Sequence, residues 1–162
     1  MGLMKTLIYV AVLGALVYGA FRLSSHLVVG VYDSPEFGVR FNYPSTVAVT
    51  ERQDKDTLEL RRKDKPNDSS FVFVRKFTHA PGSELGYRLP GEFGQDIQND
   101  QHAIYHATNG ISFNWQGPKG LENAFAFESG DRDFVISTYG MPNGDTEAEF
   151  EAVLKSLVVT YE

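Results

Sequence analysis

Histidine and acidic side chains are the residues through which this 162-residue chain could bind a metal ion or transfer a proton. Among its four histidines, His102 and His106 are close in sequence, four positions apart. Two histidines at that spacing on a helix could share one ion, but the surrounding residues alternate as in a strand, where four positions span about 13 Å. We therefore predict no metal site at this pair, and we predict that His79, which precedes Ala80 and Pro81, is a loop residue.

Two short stretches with alternating carboxylates are the other candidates for binding a cation. They are residues 54–56, Asp-Lys-Asp, and residues 131–133, Asp-Arg-Asp. Neither stretch has the glycine and the distal glutamate of a calcium-binding loop. Asp is also a common turn residue, because its side chain accepts hydrogen bonds from the backbone. The sequence therefore predicts a turn at each stretch.

No motif of a known catalytic class stands out in the chain. The absence of cysteine excludes a disulfide, a thiol nucleophile and a thiolate metal site. We recognise no glycine-rich phosphate loop, no Gly-x-Ser-x-Gly motif and no pair of carboxylates placed for catalysis. We therefore predict that the protein is not an enzyme, that it needs no cofactor, and that it has no catalytic, cofactor-binding or metal-binding residues.

An apolar segment of sixteen residues, residues 6–21, lies between Lys5 and Arg22. As a helix it would be about 24 Å long, and the two flanking basic side chains could extend its reach across a hydrocarbon core of about 30 Å. We predict a single-pass membrane anchor with a cytoplasmic N-terminus and an extracytoplasmic, periplasmic C-terminal domain. The alternative is a cleaved signal peptide, which would leave a secreted protein, because a basic residue before an apolar run of this length is typical of export signals.

Small residues recur along one side of this predicted helix. Ala11, Ala15 and Gly19 are four positions apart and Gly14 lies close to them, so a second helix could approach at this face. The predicted helix-packing interface is therefore Ala11, Gly14, Ala15 and Gly19, and the predicted partners are other membrane protein subunits within the lipid bilayer. The alternative is that Ala and Gly are simply common in export segments.

The charge of the remaining chain limits its other partners. Residues 1–30 contain two basic residues and no acidic one, so the rest holds 13 basic and 21 acidic residues, a formal charge of −8. Nucleic acid and anionic lipid headgroups attract proteins of the opposite sign. We therefore predict that nucleic acid is not a partner.

Alternation of apolar and polar residues predicts that most of the chain after Pro35 is β-structure. The predicted strands are residues 37–43, 47–51, 57–62, 70–77, 103–108, 111–116, 124–129 and 134–139. Asn109-Gly110 is a strong hairpin-turn signal, and residues 130–133 predict a second hairpin. The period then changes to that of a helix at residues 145–156, with a short strand at residues 157–161.

Residues 78–101 are rich in glycine and less regular than the rest. Leu85, Leu89, Phe93 and Ile97 are four positions apart, which predicts one face of a broken helix.

Two parts of this pattern resemble a known family. Residues 37–44, Phe-Gly-Val-Arg-Phe-Asn-Tyr-Pro, open the strands, and the terminal helix runs into Ser156-Leu157-Val158-Val159. Both features resemble PsbP-like domains, which are α-β-α sandwiches around an antiparallel sheet. The resemblance implies a non-enzymatic accessory domain that docks on a membrane complex or helps its assembly.

We therefore expect an α+β protein with an N-terminal transmembrane helix. Residues 1–31 would be the anchor and its exit segment, and residues 32–162 a mainly antiparallel β-sheet domain with a C-terminal helix packed on it. The predicted function is a non-enzymatic accessory or assembly subunit of a larger membrane protein complex. The alternative is an anchored or secreted small-ligand-binding module, in which residues 78–101 fold over an aromatic pocket that uses Tyr87, Phe93 or Trp115.

Overall fold

A computed structural model describes residues 29–67, 71–79, 84–86, 88–89, 97–105, 107–117, 120–140 and 144–160. The predicted membrane helix and its packing residues Ala11, Gly14, Ala15 and Gly19 lie outside these ranges, so they stay predictions. No helix within the described ranges is both long enough and apolar enough to cross a bilayer.

The described chain forms two antiparallel sheets and one long helix. The strands are β1 (Val29–Ser34), β2 (Val39–Pro44), β3 (Val47–Glu51), β4 (Thr57–Arg62), β5 (Phe71–Thr78), β6 (Ile97–Tyr105), β7 (Thr108–Gly117), β8 (Gly120–Ser129), β9 (Arg132–Tyr139) and β10 (Val158–Val159), and the helix is α1 (Gly144–Ser156). The smaller sheet has the order β1-β2-β10, and the larger has the order β3-β4-β5-β9-β8-β7-β6. Within the described residues the first strand begins at Val29.

The main core lies on one face of the larger sheet, under α1 and the smaller sheet. Alternate residues of four strands point into it: Leu58, Leu60, Val72, Val74, Phe125, Phe127, Phe134 and Ile136. The rings of Phe127 and Phe134 stack with their centroids 5.1 Å apart. The helix adds Phe150, Val153 and Leu154 from its apolar stripe. Each such side chain contributes about 1.5–3 kcal/mol on full burial, so this face supplies most of the driving force for folding.

The opposite face of the larger sheet is only partly covered. Leu89 packs there on Phe113, Ala124, Ala126 and Val135, which come from β7, β8 and β9. The backbone of residues 85–86 and 88–89 is helical, so a short helical segment covers this half of the sheet. The arrangement agrees with the predicted α+β class, because helical elements lie on both faces of a mainly antiparallel sheet.

Most of the predicted elements are confirmed with small shifts at their ends, whereas β6 and β8 begin well before the strands predicted at residues 103–108 and 124–129. The hairpin of β3 and β4 has the predicted bounds, and α1 begins one residue earlier than predicted. At residues 54–56 the predicted turn is present, because Asp54 Oδ1 accepts hydrogen bonds from the backbone N–H groups of Asp56 and Thr57, at 3.0 and 3.1 Å.

The interpretation of Asn109-Gly110 as a turn is wrong. Tyr105 of β6 pairs with Thr108 of β7, Ala107 just before β7 adopts a φ of 67°, and both Asn109 and Gly110 lie inside β7. The glycine serves close packing instead: a Cβ on Gly110 would lie 2.2 Å from the carbonyl oxygen of Ala126. An Asn-Gly pair is therefore a turn signal only where no neighbouring strand requires the glycine.

The interpretation of residues 85–97 as one helix face is only partly right. Leu85 and Leu89 have helical backbone, whereas Ile97 is the first residue of β6 and pairs with Trp115. The side chains of Leu85, Leu89 and Ile97 pack in the same cluster, together with that of Trp115. The four-residue spacing therefore indicates side chains that share one hydrophobic cluster, to which a helical segment and a strand both contribute. Phe93 lies outside the described residues.

Candidate docking surface

The uncovered half of the larger sheet carries a groove lined by arginine and aromatic side chains. We call it the arginine-aromatic groove and define it by the residues that line it: Arg52, Thr57, Glu59, Arg61, Phe71, Phe73, Arg75 and Tyr139. Odd-numbered positions of β4 and β5 supply most of them, because these positions point away from the main core. The groove is therefore built on rigid strands rather than on loops.

Arg61 and two aromatic rings form one end of the groove. The guanidinium carbon of Arg61 lies 3.6 Å from the centroid of the Phe71 ring, and the Phe71 and Tyr139 rings are 4.7 Å apart. A guanidinium over an aromatic face is attracted by the ring quadrupole and also shields the ring from water. Phe71 is consequently only 7% exposed, although no helix of the described chain covers it.

Arg75 forms the other end of the groove. Its guanidinium carbon lies 5.0 Å from the Phe73 centroid and 5.8 Å from the Phe77 centroid. Within the described residues its side chain forms no ion pair and no hydrogen bond, in contrast to that of Arg61. The N–H donors of Arg75 are therefore available to a ligand in the groove.

Glu59 lies between these two ends and is the one acid among the described residues that line the groove. Its carboxylate accepts from Arg61 Nε at 2.8 Å and lies 3.1 Å from Arg52 Nε. With three arginines against one glutamate, the lining is locally positive on a chain whose formal net charge is −6.

The groove is open to solvent and continues beyond its own lining. Its volume is about 310 Å³, and an adjoining concavity of about 560 Å³ shares Arg52, Thr57 and Arg75 with it. The two together follow β5 along its eight residues. The arginines stay charged at neutral pH, so they offer this surface fixed positive charges and hydrogen-bond donors for binding a ligand.

A buried ionic cluster holds the helical segment against the sheet. Arg88 Nε donates to Asp133 Oδ2 at 2.6 Å, and its Nη2 donates to both Asp133 and Glu128. These carboxylates, Asp133 first, raise the pKa of the Arg88 guanidinium above its ordinary value. We predicted Asp133 as a turn residue, but it lies inside β9 and is only 6% exposed, because Arg88 neutralises it.

The same cluster has the composition of a metal site but not its electrostatics. His79, Glu128 and Asp133 present ligand atoms within 4.8 Å of one another. His79 follows β5 outside any strand, as predicted, and its Nε2 lies 3.8 Å from Asp133 Oδ1, so this loop residue belongs to the cluster. Since the Arg88 guanidinium already binds both carboxylates, a divalent cation would have to displace it or lie beside a fixed positive charge.

Comparison with known proteins gives the fold. No protein-family model and no curated protein matches the chain. The solution structure of cyanobacterial PsbP (CyanoP) from Synechocystis is similar over 81% of this chain and 92% of its own, with a TM-score of 0.56 and 13% sequence identity. The described domain has a PsbP-like fold. This confirms the resemblance that the sequence suggested, and at this identity it shows the fold alone.

A second structure, a crystal structure from Bacteroides thetaiotaomicron, supports the same conclusion. It is 15% identical to this chain and has a TM-score of 0.54, with 80% of this chain covered. The chain spans about half of that longer protein, 47% of its length.

Glu122 is a buried acid of the PsbP-like domain that the sequence patterns did not reveal. Its side chain is fully buried in β8, and its Oε1 accepts from the backbone N–H of Gly140 at 3.2 Å. A Cβ on Gly117 would lie 2.4 Å from the same oxygen, so that glycine makes room for the carboxyl group. Burial raises the pKa of Glu122, and interactions with Gly140 and Trp115 oppose this shift.

The raised pKa of Glu122 predicts a pH-dependent stability. The folded state binds the proton more tightly than the unfolded state, so the free energy of unfolding falls as the pH rises from about 4.5 towards the raised pKa. One such group changes the free energy of unfolding by at most about 1.4 kcal/mol per pH unit. We expect Glu122→Gln to flatten this dependence, measured by urea denaturation between about pH 4.5 and 7. An unchanged slope in the variant would contradict the assignment.

Of the residues that we predicted for a ligand pocket, Trp115 alone lies within the described ranges, so that pocket stays a prediction. Trp115 packs against the cluster around Leu89 and Phe113. Tyr87 and Phe93 lie outside the described residues. His102 lies in β6, as the alternation predicted, and His106 also lies outside them.

The arginine-aromatic groove was missed at the sequence level, although a signal for it was present. Phe71, Phe73, Arg75 and Phe77 share one parity in a predicted strand, which places Arg75 among the aromatic rings. Only the register that sets β4 beside β5 brings Arg61 and Glu59 onto the same surface.

Proposed function

We propose that this protein is a non-enzymatic accessory or assembly subunit of a larger membrane protein complex. Its predicted N-terminal helix anchors it, with the N-terminus in the cytoplasm, and its PsbP-like domain lies on the extracytoplasmic side, the periplasm of a bacterial cell. The observation that carries the proposal is the arginine-aromatic groove, an open binding surface on rigid strands whose donors are guanidinium groups.

Two further observations support this function. The domain shares its fold with cyanobacterial PsbP, and the resemblance to PsbP-like domains implies an accessory role. The apolar residues 6–21 supply a membrane segment, and the small-residue face of Ala11, Gly14, Ala15 and Gly19 supplies a surface for packing against helices of other subunits.

Purification of the full-length protein in mild detergent tests this proposal. We expect the intact mass to include residues 1–21, and we expect other membrane proteins to co-purify in fixed proportion. Ala15→Leu places a bulky side chain on the packing face and should lower their recovery about tenfold, because close helix contact depends on small residues.

Ala20→Leu is the matched control for this substitution. It makes the same change on the opposite side of the predicted helix, so the recovery of partners should stay within about twofold of the wild type. A mature mass that lacks residues 1–21, or recovery of a free monomer alone, would refute the anchored accessory subunit and favour a secreted protein.

A further inference from the structure

The side chains of the arginine-aromatic groove are arranged in rows, and this arrangement limits which ligands can bind there. Three successive rows of side chains cross β4 and β5 on the groove face: Arg61 and Phe71, Glu59 and Phe73, and Thr57 and Arg75. Each end row thus carries a cation beside or among aromatic rings, and the middle row carries the acid. This alternation of charge along the strand direction distinguishes the groove from a uniformly basic patch.

Arg75 provides the clearest binding position. Its guanidinium lies near the Phe73 and Phe77 rings, and no carboxylate of the described chain binds it. A planar guanidinium held against aromatic rings loses little conformational freedom when it forms two parallel hydrogen bonds to a carboxylate. An acidic side chain is therefore the group that Arg75 fits best.

The spacing of the rows defines the length of the segment. Arg75 lies four positions after Phe71, which lies under Arg61, in β5. That is about 13 Å along a strand, the same distance as between positions i and i+4 of an extended peptide. Between them, the Glu59 carboxylate repels a third acid, whereas the Phe73 ring offers an apolar contact.

We propose that the groove binds an extended segment of a partner protein that has two acidic residues four positions apart and an uncharged residue midway. This inference rests on the accessory function proposed above and names the chemistry of the partner. Charge complementarity favours an acidic occupant, since three arginines and one glutamate line the groove. The chain's own N-terminal segment does not fit, because residues 1–30 contain no acid.

Binding of labelled peptides to the full-length protein in mild detergent tests the spacing. The probe is a nine-residue peptide with two glutamates four positions apart and a phenylalanine midway, measured by fluorescence anisotropy at about 50 mM salt, where charge screening is weak. We expect it to bind at least about fivefold more tightly than three counterparts. These carry glutamine for both glutamates, glutamates two positions apart, or a third glutamate midway.

Substitutions at the groove test the site. Arg75→Gln should abolish the preference for the glutamate peptide over the glutamine peptide, and Arg75→Lys should restore it only in part, because an ammonium group lacks the planar pair of donors. The matched control is Arg40→Gln, which removes one exposed arginine from the smaller sheet and should leave the preference unchanged. Circular dichroism of each variant verifies the fold.

Several outcomes would overturn this inference. They are equal binding of the glutamate and glutamine peptides, indifference to spacing, and a preference that survives Arg75→Gln. Tighter binding of phosphatidylglycerol vesicles or of an oligothymidylate than of the peptide would instead assign the groove to phosphate groups. If the glutamate and glutamine peptides bind equally while partners co-purify with the wild type, the groove inference fails and the accessory function stands. If no partner co-purifies with the wild type, the accessory function fails, and the peptide ranking still decides what the groove binds.

Discussion

Replacing Arg88 by glutamine is expected to lower the free energy of unfolding by about 3 kcal/mol. The Arg88 side chain is 12% exposed and that of Asp133 is 8% exposed, so the substitution leaves a buried carboxylate without its counter-charge. It also releases Glu128 and frees the helical segment that places Leu85 and Leu89 on the sheet. Urea denaturation of the full-length protein at pH 7 measures the loss through the shift of the midpoint.

A double-mutant cycle separates this effect from a simple loss of packing. Asp133→Asn removes the buried charge, so the double variant with Arg88→Gln should be more stable than the sum of the two single losses predicts. The control is Arg40→Gln, whose partner Asp33 is half exposed, and its cost should stay below about 0.5 kcal/mol. If Arg88→Gln costs no more than Arg40→Gln, the cluster does not hold the segment.

The elements of this fold were predictable because they depend on local alternation. The strands from β2 to β5 have one face of large apolar residues and one face of mixed residues, so their positions and parity can be read from the sequence. Helix α1 was predictable for the same reason, since the apolar residues change from a period of two to one of about 3.6. These local signals determine the elements, and the PsbP-like arrangement follows from packing them together.

The ionic cluster was not predictable, because its members meet only in the folded chain. Arg88 and Asp133 are 45 residues apart, and the sequence gives no indication that the second is buried. In a sequence, a carboxylate near a glycine is rightly expected in a turn. The expectation fails here because an arginine from a distant segment supplies the counter-charge that permits burial.

Strand β8 shows a different reason for failure. An apolar residue is usually buried and an acid exposed, but in β8 Leu121 is 44% exposed and Glu122 is fully buried. The following residues, Ala124 to Phe127, are apolar on both faces, so alternation alone does not assign the parity of the strand. Only the space made by Gly117 and the hydrogen bond from Gly140 show why the acid can lie inside.

Gly110→Ala is expected to destabilise the protein by about 3 kcal/mol, at the upper end of the cost of overpacking. The new Cβ would lie 2.2 Å from the Ala126 carbonyl oxygen and within 2.7 Å of two atoms of the Phe125 ring. Neither neighbour can move easily, because Ala126 is part of the ladder between β7 and β8, and Phe125 is fully buried in the main core. Thermal or urea denaturation of the full-length protein measures the difference in the free energy of unfolding between the variant and the wild type.

The control for this substitution is Gly144→Ala, which adds the same methyl group where no atom lies within 4 Å. It lies at the start of α1, so the stability should change by no more than about 0.5 kcal/mol. The comparison also decides the role of Asn109-Gly110. If the pair formed a turn with a left-handed glycine, alanine would cost only about 1 kcal/mol from backbone strain. A loss near 3 kcal/mol requires the close approach of β8, because no local turn geometry brings a backbone oxygen that near to the glycine.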